Sequence, residues 1–184
     1  DNYDTKEKIA DLALTMIEEG DTIFLGPGST CFLFATKLKK VKNLTVVTNN
    51  VNALSELSPN IRNVFLVGGE IVNNGGMLYS AGPKALSYLE GIFVNKAFFS
   101  VDGIDLMAGF TINEQLRLGV LHRIPSISKR IIILADYTKF NKIGLYQIGT
   151  ADFPHCVISN EKLDDNYKQF FYEKDIKILT TYDI

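Results

Sequence analysis

The sequence predicts an α/β protein in which an open, mainly parallel sheet carries helices on both faces. Short apolar runs rich in β-branched and aromatic residues recur along the 184 residues, and helical patterns separate them. These runs are apolar on successive residues, which is typical of strands covered on both faces. Regular alternation of strand and helix favours right-handed βαβ units. The predicted strands are residues 22–25, 44–47, 64–67, 97–101, 131–135, 156–159 and 177–179.

The first predicted element is a helix that precedes the first strand. Asp4 with Glu7 three residues later resembles a capping box, and Gly20 lies where a left-handed helix stop is expected. The spacing of three and four residues indicates one buried face. That face consists of Ile9, Leu12, Ala13, Met16 and Ile17.

Two further helices are expected after the first and second strands. One begins with Ser29 and Thr30 as caps and buries an apolar face. The other begins near Asn50 and ends before Pro59. The two apolar faces comprise Cys31, Phe34, Ala35 and Leu38 in one helix, and Ala53, Leu54 and Leu57 in the other.

The second half of the chain is expected to hold an excursion and three helices. Residues 70–80 contain a Gly-Gly pair and predict a hairpin or an irregular segment. Pro83 is suited to the first position of a helix. Residues 113–129 have a helical pattern that Pro125 must kink or end. The last helix is expected from about Asp164.

Composition excludes several classes of protein. Hydrophobic residues make up 46% and charged residues 22%, which is ordinary for a globular protein. The net charge is −2, so the chain by itself is a poor nucleic-acid binder. The longest apolar runs are five residues, too short for a membrane span. Two cysteines suit the reducing cytoplasm, where we expect the protein, and no residue set predicts a metal or other cofactor.

The turn after the first strand, residues 26–30, is the strongest candidate site. Ligands of open α/β sheets bind beyond the carboxyl ends of the strands. Gly28, Ser29 and Thr30 offer backbone N–H groups and hydroxyls to a phosphate, or they only cap the helix. A P-loop needs Lys where Ser29 stands, and a dinucleotide fingerprint needs Gly where Cys31 stands. The turn therefore favours phosphate or carboxylate binding without a nucleotide motif.

Other polar or small residues follow further predicted strands. Taken singly, each fits a cap, a turn or a rim ion pair. Taken together, they place hydrogen-bonding groups and one cation on one edge of the sheet. They are Thr48 and Asn49, then Gly69, then Asp102, Gly103 and Asp105, and finally Lys139. With two histidines and no convincing triad in the sequence, we expect a binding protein and not an enzyme.

An ordered series of short motifs points to a family. They are Lys8-Ile9-Ala10, Ile17-x-x-Gly20-Asp21-Thr22-Ile23-Phe24-Leu25, Gly28-Ser29-Thr30, Leu44-Thr45-Val46-Val47-Thr48-Asn49, Leu66-Val67-Gly68-Gly69, Gly82-Pro83, Asp102-Gly103-Ile104-Asp105, Gly109-Phe110-Thr111 and Ile133-Leu134-Ala135-Asp136-x-x-Lys139-Phe140. The chain resembles the C-terminal effector-sensing domain of the DeoR family of bacterial transcription repressors. Each motif alone is weak, but their order is specific.

The resemblance implies a fold related to ribose-5-phosphate isomerase and CoA transferases, used for sensing. The implied effector is a phosphorylated sugar or a related metabolite, with its phosphate on residues 28–30 and Lys139. Its hydroxyls would meet Asn49, Asp102 and Asp105. Residues 1–184 then form one sensor domain of a homo-oligomer, and a separate N-terminal winged helix contacts operator DNA. The lack of an initial Met leads us to expect that this module is absent from the chain.

Two departures from the family pattern leave alternatives open. The helix after Gly109-Phe110-Thr111 lacks the usual acidic opening and Lys-Arg pair, and only Arg123 keeps basic character. Gly26 stands where many relatives carry an acidic residue. The alternatives are a sugar-phosphate isomerase with Glu114 as its carboxylate, or an oligomerisation domain with a vestigial cleft. In the latter, apolar side chains of residues 116–121 serve an interface or the core.

Overall fold

The computed structural model describes residues 2–160 and 163–181. Within them, the strands are β1 (Thr22–Leu25), β2 (Thr45–Thr48), β3 (Asn63–Leu66), β4 (Glu70–Asn74), β5 (Met77–Ala81), β6 (Val94–Ser100), β7 (Gly103–Asp105), β8 (Gly109–Ile112), β9 (Ser128–Leu134), β10 (Tyr146–Gly149), β11 (Cys156–Ile158) and β12 (Lys177–Leu179). The helices are α1 (Tyr3–Leu14), α2 (Ser29–Lys37), α3 (Leu54–Leu57), α4 (Pro83–Tyr88), α5 (Gln115–Arg123) and α6 (Asp165–Glu173).

Seven strands form a parallel sheet in the order β12-β11-β9-β6-β1-β2-β3. In the centre, Phe24 of β1 stands opposite Val47 of β2 and Ala97 of β6. Each parallel neighbour requires a crossover connection, and the helices provide most of these crossovers. The predicted α/β class with its mainly parallel sheet is therefore confirmed.

Helices cover both faces of this sheet. Phe98 of β6 packs in a core beneath α1, α2 and α3, together with Phe34 of α2. The next residue, Phe99, belongs to the core on the other face, with Val120 of α5 and Phe171 of α6. Successive residues of one strand thus enter two separate cores, which explains why the strands are apolar at consecutive positions.

Helix boundaries depart from the sequence prediction at both early helices. Because α1 begins at Tyr3 with Asn2 before it, the predicted capping box at Asp4 is wrong. The helix ends at Leu14, and Gly20, with φ of +85°, lies in the later turn that enters β1. Helix α2 begins where predicted, but Gly28 precedes it and no side chain caps it. The interpretation of Ser29 and Thr30 as caps is therefore also wrong.

The helix predicted over residues 113–129 extends too far. Helix α5 ends at Arg123, residues Ile124–Ile127 form a 3-10 turn, and Ser128 already begins β9. Pro125 lacks the N–H that a continued helix needs. The residues beyond it pair with β6, beginning with Ser128 opposite Val94. Pairing within the sheet overrides the local helical pattern here.

The apolar residues of α5 have mixed roles. Val120 and Leu121 are buried in the core, and Leu118 packs against it. Leu116 is exposed. Of the two predicted roles for the apolar side chains of residues 116–121, an interface or the core, they therefore serve mainly the core.

Two smaller sheets lie outside the parallel sheet. The excursion at residues 70–80 is the antiparallel hairpin β4–β5, whose turn contains Gly75 and Gly76 at positive φ. Strands β7, β8 and β10 form a three-stranded antiparallel sheet that the sequence did not predict. They are three or four residues long, too short for a clear periodic signal. Among the described residues, no helix is long and apolar enough to cross a membrane.

Candidate functional site

A cavity of about 240 Å³ lies at the carboxyl ends of β1, β6 and β9. Three turns that leave neighbouring strands form most of its wall, and α1, α5 and the β4–β5 hairpin close it. The lining residues are Lys6, Gly28, Ser29, Thr30, Asn74, Met77, Ser100, Val101, Asp102, Glu114, Arg117, Leu134, Ala135, Asp136 and Lys139. Five of the ten predicted site residues are among them: Gly28, Ser29, Thr30, Asp102 and Lys139.

Residues 26–30 make one wall of the cavity. Gly28 has φ of +109°, and a Cβ there would lie 3.0 Å from Ser100 Oγ, so the turn needs glycine for both conformation and space. Ser29 and Thr30 begin α2, whose free N–H groups and dipole favour an anion. Lys6 of α1 donates from Nζ to Ser29 Oγ at 2.9 Å. An ammonium therefore already stands beside the predicted phosphate position.

Thr48 supports this turn from behind. Its Oγ1 donates to Leu25 O at 2.6 Å and accepts from Asn50 N at 2.9 Å. The Asn50 amide then donates from Nδ2 to Gly26 O at 3.1 Å and to Gly28 O at 3.4 Å. Thr48 is fully buried and is not part of the cavity wall. It and Asn50 hold the shape of residues 26–28.

Asn49 also lies outside the cavity lining. Its side-chain Nδ2 donates to Ser80 O at 3.3 Å, and its backbone carbonyl accepts from Ser80 N at 3.1 Å. Asn52 attaches the end of the same hairpin, donating to Gly76 O at 3.2 Å and accepting from Leu78 N at 2.7 Å. The residues after β2 therefore hold the β4–β5 hairpin in place. Asn74 and Met77 near its tip complete the cavity.

Three predicted site residues have structural roles away from the cavity. A Cβ at Gly69 would lie 2.5 Å from Ala81 O, and one at Gly103 would lie 2.5 Å from Lys142 O, so both permit close backbone approach. Asp105 Oδ1 accepts from the backbone N–H groups of Met107 and Ala108, at 2.9 and 2.8 Å, and forms the β7–β8 turn. The placement of these three in the effector site is not supported by the geometry.

Asp102 is held at the cavity by a cluster of charged side chains. Its Oδ2 accepts from Asn113 N at 2.8 Å and from Arg117 Nη1 at 3.2 Å. The same Nη1 lies 3.6 Å from Glu114 Oε1. Glu114 Oε2 in turn accepts from Tyr79 Oη of β5 at 2.8 Å. Burial, and then the Glu114 carboxylate, raise the pKa of Tyr79, so the phenol remains a donor.

Arg117 is the main residue that sequence reasoning missed. Its side chain is only 5% exposed, whereas Arg123, the basic residue singled out on the same helix, is exposed. The spacing of Glu114 and Arg117 was a weak signal, since such pairs are common on helix surfaces. Only the packing of α5 against the sheet shows that this pair points inward. Sequence reasoning also missed Lys6, because only the packing of α1 beside α2 brings its ammonium to Ser29.

Asp136 and Lys139 form the wall beyond β9. Asp136 is buried, and its Oδ1 accepts from Thr138 N at 2.9 Å, which shapes the 3-10 turn Tyr137–Lys139. Lys139 is half-buried and faces the cavity from this turn. The sequence also allowed Lys139 to form an ion pair with Asp136 at the rim. Among the described residues, these two side chains form no such pair. Lys139 thus lines the cavity without an ion pair to Asp136.

Nucleophilic and metal-binding groups are scarce in the described part of the chain. Burial raises the pKa of Cys31 to about 12 and that of Cys156 to about 11, so both thiols are protonated. His122 is exposed and contacts Gln147 O through Nε2. No group of three metal-ligating side chains comes together within residues 2–160 and 163–181. The geometry suits hydrogen bonding and charge recognition.

Comparison with protein families gives one matching model. It is described as the DeoR C terminal sensor domain and matches residues 1–161. The HTH-type transcriptional regulator IolR of Bacillus subtilis is 33% identical over 96% of this chain and 70% of its own length. The L-fucose operon activator of Haemophilus influenzae is 29% identical over 95% of this chain and 70% of its length.

Solved structures share the fold at low sequence identity. Ribose 5-phosphate isomerase A from Methanocaldococcus jannaschii aligns with a TM-score of 0.55 and 18% identity, over 76% of this chain and 55% of the isomerase. The eIF2B-beta2-delta2 complex from C. thermophilum gives a TM-score of 0.55 and 14% identity, over 77% of this chain and 44% of the matched chain. The chain thus spans about half the length of these proteins, and the likeness concerns the fold alone.

Proposed function

Because the chain belongs to the DeoR C terminal sensor domain family, we propose that its cavity binds a phosphorylated sugar or a related phosphorylated metabolite. The observation that carries the proposal is the convergence of the α2 N-terminus, Lys6 and Lys139 on one cavity at the carboxyl edge of the sheet. Backbone N–H groups and ammonium groups are the partners that a phosphate prefers. In this proposal the phosphate binds Ser29, Thr30 and the two lysines.

The remaining wall suits the rest of such a molecule. Asp102, Glu114 and Asp136 line the cavity with carboxylates that can accept hydrogen bonds from hydroxyls. A volume of about 240 Å³ is below the roughly 300–1,000 Å³ of sites for drug-sized ligands. The site therefore fits a compact, polar metabolite.

Sensing requires that occupancy favours one of two states of the regulator. Lys6 gives a route for this, because it lies on α1 and its ammonium would exchange Ser29 Oγ for a phosphate oxygen. In our proposal this exchange alters the position of α1. A homo-oligomer of regulators would pass the change to winged-helix modules that contact operator DNA.

Binding is tested by thermal denaturation with a panel of pentose and hexose monophosphates. A ligand at about a hundred times its Kd stabilises the native state by about 2.7 kcal/mol, which raises Tm by several degrees in a chain of this size. Lys139→Met should weaken the affinity of the best ligand about tenfold, because it removes a charge-assisted contact. Lys142→Met is the matched control, since Lys142 is exposed and outside the cavity lining.

Two results would count against the proposal. One is the absence of any Tm shift at millimolar concentrations across the panel. The other is an equal loss of affinity in the Lys139 and Lys142 variants. Turnover of ribose 5-phosphate that disappears in Glu114→Gln would instead favour the isomerase alternative.

A further inference from the structure

The cluster of Asp102, Arg117 and Glu114 is not electrically balanced. One guanidinium faces two carboxylates, at 3.2 Å from Asp102 and 3.6 Å from Glu114. Both carboxylates line the cavity and keep 26% and 23% exposure, while Arg117 is 5% exposed. The cluster therefore presents a net charge of −1 to whatever lies next to it. The rest of the lining has the opposite sign, since Lys6, Lys139 and the α2 N-terminus outweigh its one carboxylate, Asp136.

The guanidinium of Arg117 makes its hydrogen bonds within this cluster and to the backbone of Ser100. Nη1 donates to Asp102, and Nη2 donates to Ser100 O at 3.4 Å. Nε is buried and has no hydrogen-bond partner among the described residues. The two hydrogen bonds from Nη1 and Nη2 fix the guanidinium between the Ser100 backbone and the carboxylates. Its effect is to orient the two carboxylates.

Glu114 receives a second constraint from the hairpin. Tyr79 is fully buried and donates from Oη to Glu114 Oε2 at 2.8 Å. Asn50 and Tyr79 form a backbone bridge, which attaches β5 to the segment after β2. Tyr79 is thus a positioning residue, since it directs the Glu114 carboxylate without lining the cavity itself.

These contacts decide what the carboxylates of Asp102 and Glu114 can bind. Oriented carboxylates accept hydrogen bonds from hydroxyls, and a net negative cluster disfavours another anion at close range. We propose that Asp102, Arg117 and Glu114 form a hydroxyl-binding subsite that makes this sensor select polyhydroxy monophosphates over bisphosphates. The inference rests on the proposed function of the cavity. It adds which chemical groups the cavity accepts at the end of the effector that carries no phosphate.

The test compares matched pairs of sugar phosphates by isothermal titration calorimetry. The pairs are fructose 6-phosphate with fructose 1,6-bisphosphate, and glucose 6-phosphate with glucose 1,6-bisphosphate. The wild-type protein should bind the monophosphate of its preferred pair at least tenfold more tightly than the bisphosphate. Glu114→Gln keeps the shape and the acceptor for Tyr79 but neutralises the cluster. It should reduce this preference about tenfold, chiefly by tighter binding of the bisphosphate.

A gain of bisphosphate affinity distinguishes selection from damage to the fold, because a damaged cavity binds both ligands less well. Tyr79→Phe retains all charges and frees the Glu114 carboxylate, so it should reduce the preference by a smaller factor of two to three. Glu90→Gln removes an exposed carboxylate outside the cavity lining and should leave the ratio unchanged.

The outcomes separate the two proposals. Equal binding of mono- and bisphosphate by the wild type, or an unchanged ratio in Glu114→Gln, would overturn the selection and leave the phosphate site standing. Failure of these four sugar phosphates and of the whole thermal-denaturation panel to bind the wild type would overturn both.

Discussion

Two buried ion clusters lie at opposite ends of the same sheet and differ in their balance. At the amino end, Lys96 Nζ lies 2.7 Å from Asp21 Oδ2, and both side chains are 11% exposed. The pair is one cation with one anion. At the carboxyl end, Arg117 faces both Asp102 and Glu114 at longer distances, beside a cavity.

The difference separates a structural ion pair from the proposed binding surface. The single ammonium of Lys96 balances the single carboxylate of Asp21, and Asp21 Oδ2 also accepts from Glu18 N at 2.9 Å, so the amino-end pair is satisfied within the protein. A buried pair of this kind is costly to form and costlier to break. The carboxyl-end cluster keeps an excess of negative charge in contact with the cavity. Unmatched polarity next to a cavity is what a ligand can use.

The largest effect is expected from breaking the amino-end pair. Lys96→Met leaves Asp21 buried without its cation, and we expect a loss of about 3 kcal/mol in the free energy of unfolding. Urea denaturation measures this loss, and calorimetry of the folded protein should show sugar-phosphate affinity unchanged within twofold. Lys40→Met, at an exposed lysine, should stay within about 0.5 kcal/mol of wild type. A changed affinity in Lys96→Met would show that the amino-end pair also influences ligand binding, against the distinction between the two clusters.

A smaller loss of stability is expected at the carboxyl end. Arg117→Met leaves two carboxylates that are about one quarter exposed and face the cavity, where water can solvate them. We therefore expect a cost of about 1–2 kcal/mol, below that of Lys96→Met. The same urea experiment compares the two variants directly. If the loss at Arg117 equals or exceeds that at Lys96, the carboxyl-end cluster is mainly structural.

The smallest expected effect is on the pH dependence of stability, at His155 near the amino ends of the strands. Partial burial, and then the Arg130 guanidinium, lower the pKa of His155, whose Nδ1 accepts from Ile131 N at 3.0 Å. Because the folded pKa is below the ordinary value of 6.5, this stabilisation is present above pH 6.5 and is lost as the pH falls through the folded pKa. His155→Asn, which keeps an acceptor, should flatten the decline of the urea midpoint between pH 7.5 and 5.5.

His122→Asn is the control for this measurement, because His122 is also exposed but lies on α5, where it contacts Gln147 O and not Ile131. It should leave the pH dependence as in the wild type. A flattening of equal size in both variants would show that general charge, and not the Ile131–His155 contact, sets the slope.

Among the predicted site residues, those of one short continuous segment do line the cavity. Residues 28–30 lie on the cavity because a turn from a strand into a helix is a local structure. Asn49 and Asp105 were predicted by the same logic, but their side chains bond to Ser80 and to the turn after β7. Polar residues at strand ends face several directions, and only the surrounding packing decides which one.

The sequence by itself determined the class of fold and most strands of the parallel sheet, because these follow from apolar periodicity. It also predicts an anion at the turn of residues 26–30 from local backbone chemistry. The tertiary structure alone decided that Lys6, Glu114 and Arg117 line one cavity and that Tyr79 bonds to Glu114 there. These residues come from α1, the β4–β5 hairpin and α5, so their meeting depends on how each element rotates and docks on the sheet. Such long-range placement is set by the packing of two cores, and no local pattern encodes it.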